Sequence, residues 1–134
     1  MGDFMKYSLG NPAPAIFQAV ESNDCVVRAF TNAVNMPYEQ IHTLFKWMGR
    51  KTGHRTSGQL VFDALEILMI PRARPINRYM TLAKFLKVFP NGTYYVHSRK
   101  HAWCVKAGMV LDSWKVSGKA RITSIGVVQS EVNL

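Results

Sequence analysis

Apolar residues recur at intervals of three and four through the first two thirds of the chain and then give way to denser β-branched and aromatic runs. Behind Ser22, Asn23 and Asp24, each a good helix N-cap, Val26, Val27, Phe30, Ala33 and Val34 predict a helix over about 24–35. Pro37 suits the first turn of a second helix, in which Ile41, Leu44, Phe45 and Met48 form the apolar stripe and Gly49 is the stop. A polar loop over 50–56 follows. Ser57 then caps a third helix with Leu60, Val61, Ala64, Leu65 and Leu68 inward, ended by Pro71. Thr81 opens a short fourth helix through Leu82, Phe85, Leu86 and Phe89, closed by Pro90-Asn91-Gly92. The Pro- and Arg-rich stretch 71–79 reads as an exposed loop or irregular strand, and residues 1–22, punctuated by Pro12 and Pro14, read as irregular.

From Thr93 onward the period changes. Residues 93–96, 102–106, 110–114 and 121–128 read as strands separated by short polar turns. Helices first and strands afterwards predict an α+β domain in which N-terminal helices pack on a C-terminal antiparallel β-sheet. With 134 residues and no repeat or linker, the chain reads as one domain over 1–134.

At 48% hydrophobic and 19% charged, the composition supports an ordinary core rather than disorder. The longest uncharged apolar stretch, Ile67 to Pro71, falls far short of the roughly 20 residues that span a bilayer. The N-terminus, with Asp3, Lys6 and Asn11, lacks the apolar segment of a secretory signal. A cytoplasmic protein without membrane partners is expected, in the host cytoplasm if the gene is a phage's. The net charge of +9 favours anionic partners, nucleic acid or an acidic protein, with Arg50, Lys51, Arg55, Arg72 and Arg74 as candidate contacts. Tyr38, Tyr79, Tyr94, Tyr95 and Trp47 are candidate stacking partners, although such aromatics also suit a core. His42 and His54 read as surface residues. No His and Cys have zinc-ligand spacing, so neither metal nor cofactor is expected.

The two cysteines, Cys25 and Cys104, are too few for a disulfide framework and read as free thiols. Cys25 lies at the start of the first predicted helix. Unpaired N–H groups and the positive end of the helix dipole favour a thiolate there, and the same N–H groups can donate to an oxyanion forming beside the sulfur. His101 opens one predicted strand and Asp112 sits on the next, with Ala107-Gly108 as the turn between them. Paired as a hairpin, these strands bring His101 and Asp112 together at the open end, so that a carboxylate holds one ring nitrogen while the other faces the sulfur. The alternatives are plain: Cys25 as a small buried hydrophobe, His101 as a turn residue with His97 as rival base, Asp112 as a strand-end polar group. Cys104, between Trp103 and Val105, suits a core or sheet face.

Asn23-Asp24-Cys25-Val26-Val27-Arg28-Ala29, Gly49-Arg50-Lys51, Gly92-Thr93-Tyr94-Tyr95-Val96, His101-Ala102 and Val110-Leu111-Asp112-Ser113-Trp114, in this order, resemble a group of small papain-like cysteine peptidase domains, many of them encoded by bacteriophages and their hosts. The resemblance runs from about residue 22 to 115. It implies a papain-like fold with Cys25 as nucleophile, His101 as general base and acid, and Asp112 as orienter. Papain-like enzymes usually place a Gln several residues before the cysteine to complete the oxyanion hole. Gln18 is a candidate for that role and Asn23 the competing donor.

The expected function is a cysteine hydrolase that cleaves a peptide, isopeptide or other amide bond. The alternative is a basic, phage-type binding protein of the same fold that grips nucleic acid or an acidic host protein without catalysis.

Overall fold

A computed structural model of the chain describes residues 6–8, 10, 13–73, 80–112 and 116–129. Among these are five helices, α1 (Ala15–Gln18), α2 (Cys25–Val34), α3 (Tyr38–Trp47), α4 (Gly58–Ile67) and α5 (Leu82–Val88). Six strands accompany them, β1 (Lys6–Ser8), β2 (Arg72–Ala73), β3 (Thr93–Ser98), β4 (Ala102–Lys106), β5 (Met109–Leu111) and β6 (Ile122–Gln129). The four helices expected from periodicity are α2 to α5. Ser57 and Thr81 cap as their residue types suggest: Ser57 Oγ accepts from the Leu60 amide at 3.3 Å and Thr81 Oγ1 from the Lys84 amide at 3.2 Å. Helix α4 ends before Pro71 is reached, because Met69 turns into the left-handed region (φ 58°) and the Ile70 amide folds back onto the Leu65 carbonyl at 2.8 Å.

The strands form one six-stranded sheet in the order β1-β5-β4-β3-β6-β2. The fold is α+β, but the sheet is mixed rather than antiparallel. Strand β1 runs parallel to β5, with Tyr7 opposite Val110, while the other pairings are antiparallel. The expectation that 1–22 is irregular is corrected at β1 and α1. A three-residue strand has too little pattern to be seen locally, and its partner lies about a hundred residues away. The Arg72–Ala73 pair forms edge strand β2 against β6.

Both faces of the sheet are covered. On one face Phe30, Ile41, Phe45, Val61 and Leu65 pack with Tyr95, Ala102 and Cys104. On the other, Leu82 and Phe85 pack with Tyr94, Val96, Trp103 and Val105. Alternation along β3 thus feeds two cores, and α5 sits opposite α2 to α4. The Phe30 ring stacks on Tyr95 at 4.5 Å between centroids, seating α2 on the sheet. Gly126 of β6 permits close approach of α4, since a Cβ there would lie 2.7 Å from Leu65 Cδ2.

The β4–β5 hairpin turns through Ala107 and Gly108, both left-handed (φ 51° and 75°), with Lys106 opposite Met109. Two residues with positive φ match the right-handed twist of the strands. No described helix is long and apolar enough to cross a membrane.

Candidate active site

Helix α2 begins at Cys25 without a cap, although Asp24 stands in the N-cap position. Its carboxylate is diverted instead: Oδ2 accepts from the Tyr38 hydroxyl at 2.7 Å and Oδ1 from Arg28 Nε at 3.1 Å. The first N–H groups of α2 are therefore left without an intrahelical or side-chain acceptor, beside a half-buried thiol.

His101 lies just ahead of β4 and Asp112 just beyond β5, at the open end of the hairpin. His101 Nε2 is 2.5 Å from Asp112 Oδ2, and the same ring is hydrogen-bonded to Cys25. With Nε2 engaged by the carboxylate, Nδ1 is the nitrogen left for the sulfur. Asp112 Oδ1 accepts from Arg28 Nη1 at 2.6 Å, and the Asp112 amide donates to the Ser8 carbonyl at 2.9 Å. The carboxylate is thus fixed by α2 through Arg28 and by β1 through the backbone.

Burial pushes the Cys25 thiol up, but the hydrogen bond and charge of His101, the Ala102 amide and the charge of Arg28 outweigh it and hold the thiol below its ordinary value. The hydrogen bond to Asp112, and then that to Cys25, raise His101 to about 9 against the opposing effect of burial. Burial raises Asp112, yet its bond to His101 and the charges of His101 and Arg28 bring it below the usual carboxylate range. The arrangement favours thiolate and imidazolium side by side.

A second polar network lies under the segment that leads into Cys25. Glu21 Oε2 accepts from Arg50 Nη1 (2.8 Å) and lies 2.7 Å from His42 Nε2; Oε1 accepts from Arg50 Nη2 (2.9 Å) and from the Gly53 amide (2.8 Å). Arg50 Nη2 also donates to the Asn23 carbonyl at 3.3 Å. Burial raises the Glu21 pKa, but the bonds to Arg50, Gly53 and His42 bring it down to about 2. Two expectations are corrected here. Arg50 is 5% exposed and serves as the counter-ion of Glu21, not as part of a cationic surface, and His42 is buried against the same carboxylate. Charge so far inside survives only when paired, and neither partner is close in sequence.

Cys25, Asn23 and His101 line one cleft of about 270 Å³ together with Arg28, Arg55 and Thr56. Asn23 Nδ2 donates to the Gly53 carbonyl at 2.9 Å. Gln18 lies outside the cleft lining, and its amide donates to the Ala13 carbonyl at 2.6 Å. His97 borders the cleft, but its Nδ1 is hydrogen-bonded to the Tyr95 hydroxyl at 2.7 Å, and burial together with the His101 charge lowers its pKa. Cys104 is fully buried and its thiol is pushed up to about 12.

Lys51, Arg55 and Arg72 are exposed, with the Arg72 guanidinium 4.0 Å over the Phe62 ring; Arg74 lies outside the described residues. Tyr38, Tyr94 and Tyr95 belong to the cores, Tyr79 lies outside the described residues, and Trp47 is 80% exposed beside Ile67, away from the cleft. Arg28 and Glu21 are the residues that sequence reading left without a role. Arg28 had a signal, three positions after Cys25 and four after Asp24 on one helix face; Glu21 had none. Among the described residues no group of three or more His, Cys, Asp or Glu is arranged to hold a metal ion. Comparison with protein-family models, characterised proteins and solved structures gives no match.

Proposed function

We propose that the chain is a papain-like cysteine hydrolase acting on a peptide, isopeptide or other amide bond. The observation that carries the reading is the continuous Cys25–His101–Asp112 contact at the uncapped start of a helix, open to a cleft. Cys25 thiolate attacks the carbonyl carbon, and the oxyanion is held by the free N–H groups at the head of α2. His101 gives its proton to the leaving amine as the C–N bond breaks, leaving a thioester on Cys25. His101 then takes a proton from water, whose oxygen attacks the thioester; the acid leaves and the thiolate is restored. Asp112, clamped by Arg28, holds the ring in register throughout.

The direct test follows the pH dependence of Cys25 alkylation by intact-mass labelling, with His101→Ala in parallel. An apparent pKa well below the unperturbed value of about 8.5, lost in the variant, supports the pair. A sluggish thiol indifferent to His101 sinks the proposal.

The second reading, a basic binding protein without catalysis, is favoured by the exposed Lys51, Arg55 and Arg72 and weakened by the burial of Arg50. It predicts salt-sensitive binding of nucleic acid or acidic protein that survives Cys25→Ala.

A further inference from the structure

Of the reactive trio, Cys25 and His101 line the cleft, and Asp112 reaches it only through His101. Arg55 comes from the loop before α4, and Arg99 and Lys100 come from the turn between β3 and β4. All three are exposed, and none has a described carboxylate partner. Among the described residues no Asp or Glu lines the cleft. The contrast with Arg28 is sharp, because Arg28 borders the same space with its charge already spent on Asp24 and Asp112. Thr56 Oγ1, in the same lining, is shielded from solvent and has no hydrogen-bond partner. Unpaired cations around a concave site focus anions into it. Among the described residues the lining holds no ring apart from His97 and His101, little of the stacking platform that single-stranded nucleic acid uses.

We propose that the substrate is an acidic peptide segment, with an Asp or Glu carboxylate next to the scissile carbonyl, received by Arg55, Arg99 and Lys100. The inference rests on the hydrolase reading and names its substrate class. The chemistry is unchanged: the Cys25 sulfur–acyl bond forms, the C–N bond breaks, and the His101 proton leaves with the amine. The added feature is a carboxylate that stays anionic and paired with the cationic rim. That contact recruits the substrate and orders the bond before attack.

Two reagents separate this inference from the reading beneath it. Iodoacetate and iodoacetamide alkylate the same sulfur, expel the same iodide and differ in one negative charge. At Cys25 the iodoacetate-to-iodoacetamide rate ratio is expected to exceed that of N-acetylcysteine by about tenfold. It should fall in the Arg55→Gln, Arg99→Gln, Lys100→Gln variant, and also when ionic strength is raised on the unaltered protein. A ratio indifferent to both overturns the acidic-substrate inference. Iodoacetamide labelling no faster than that of N-acetylcysteine at mildly acidic pH overturns the hydrolase reading instead. In a second arm, a Glu-containing peptide shields Cys25 from iodoacetamide better than its Gln counterpart does. Equal shielding by the two peptides, or shielding by a single-stranded oligonucleotide in their place, overturns the assignment to acidic peptides.

Discussion

The chain uses the same three side-chain types twice, a carboxylate between a histidine and an arginine, with opposite results. In Glu21–His42–Arg50 every member is sealed: the side chains of Glu21, His42 and Arg50 are 0%, 8% and 2% exposed, and the carboxylate accepts four contacts from protein. In Asp112–His101–Arg28 the carboxylate is equally buried, but the His101 side chain is 27% exposed and its second nitrogen faces a thiol. A closed triad ties a loop to a helix entrance. An open one tunes a neighbour. The difference lies in what is left unsatisfied on the histidine, not in the residue types.

The comparison breaks most visibly at Asp112. Asp112→Asn removes the largest influence raising His101, so the alkaline limb of the kcat/KM profile, expected near pH 9, should move to lower pH. In the proposed mechanism it should also cost about 10³–10⁴ in kcat, the scale for losing the group that orients a catalytic imidazole. Initial-rate measurements across pH on a cleaved substrate check both. If Asp112→Asn behaves like the parent, the open triad has no catalytic meaning.

Glu21→Gln should act on stability instead. It strands the buried Arg50 guanidinium and should cost about 3–5 kcal/mol, read from the shift in urea midpoint at constant m. In the folded fraction the pH midpoint of Cys25 alkylation should not move. A shared shift would mean that the two networks are one.

The acid side of the stability curve gives a third test. Glu21 is held at about 2 when folded, against an ordinary 4.5, so it contributes fully above about 4.5, and that contribution is lost as the pH falls through about 2. Acid unfolding monitored by circular dichroism should lose part of its slope in that window in Glu21→Gln. An unaltered slope would place the acid sensitivity elsewhere.

The smallest effect is expected at Arg28→Lys. A lysine keeps a cation near Asp112 but cannot bridge Asp24 and Asp112 with two nitrogens, so about a tenfold loss of activity at almost unchanged stability is expected. Activity and thermal melting measured on one preparation decide it.

Much of this is legible in the sequence. Helices α2 to α5 follow from apolar spacing and from the caps Ser57 and Thr81, because those signals are local. The hairpin that brings His101 and Asp112 together follows from two short strands and a two-residue turn. What escaped depends on pairing across long sequence distances. Strand β1 has three residues and meaning only beside β5. Arg50 belongs to a run that looks like a solvated loop, and only Glu21 on a distant segment turns it inward. Asp24 looks like a cap by type, yet Tyr38 and Arg28 compete successfully for its oxygens, and the competition leaves the head of α2 open.

The pairing of β1 with β5 also bears on synthesis. A ribosome releases the segment bearing Cys25 long before His101 and Asp112, and the Ser8 carbonyl that holds the Asp112 amide must wait for nearly the whole chain. Until then the cysteine has neither its base nor its carboxylate and titrates as any unfolded thiol does. In the proposed mechanism the emerging polypeptide therefore carries no activated thiol until the strands that hold His101 and Asp112 have paired.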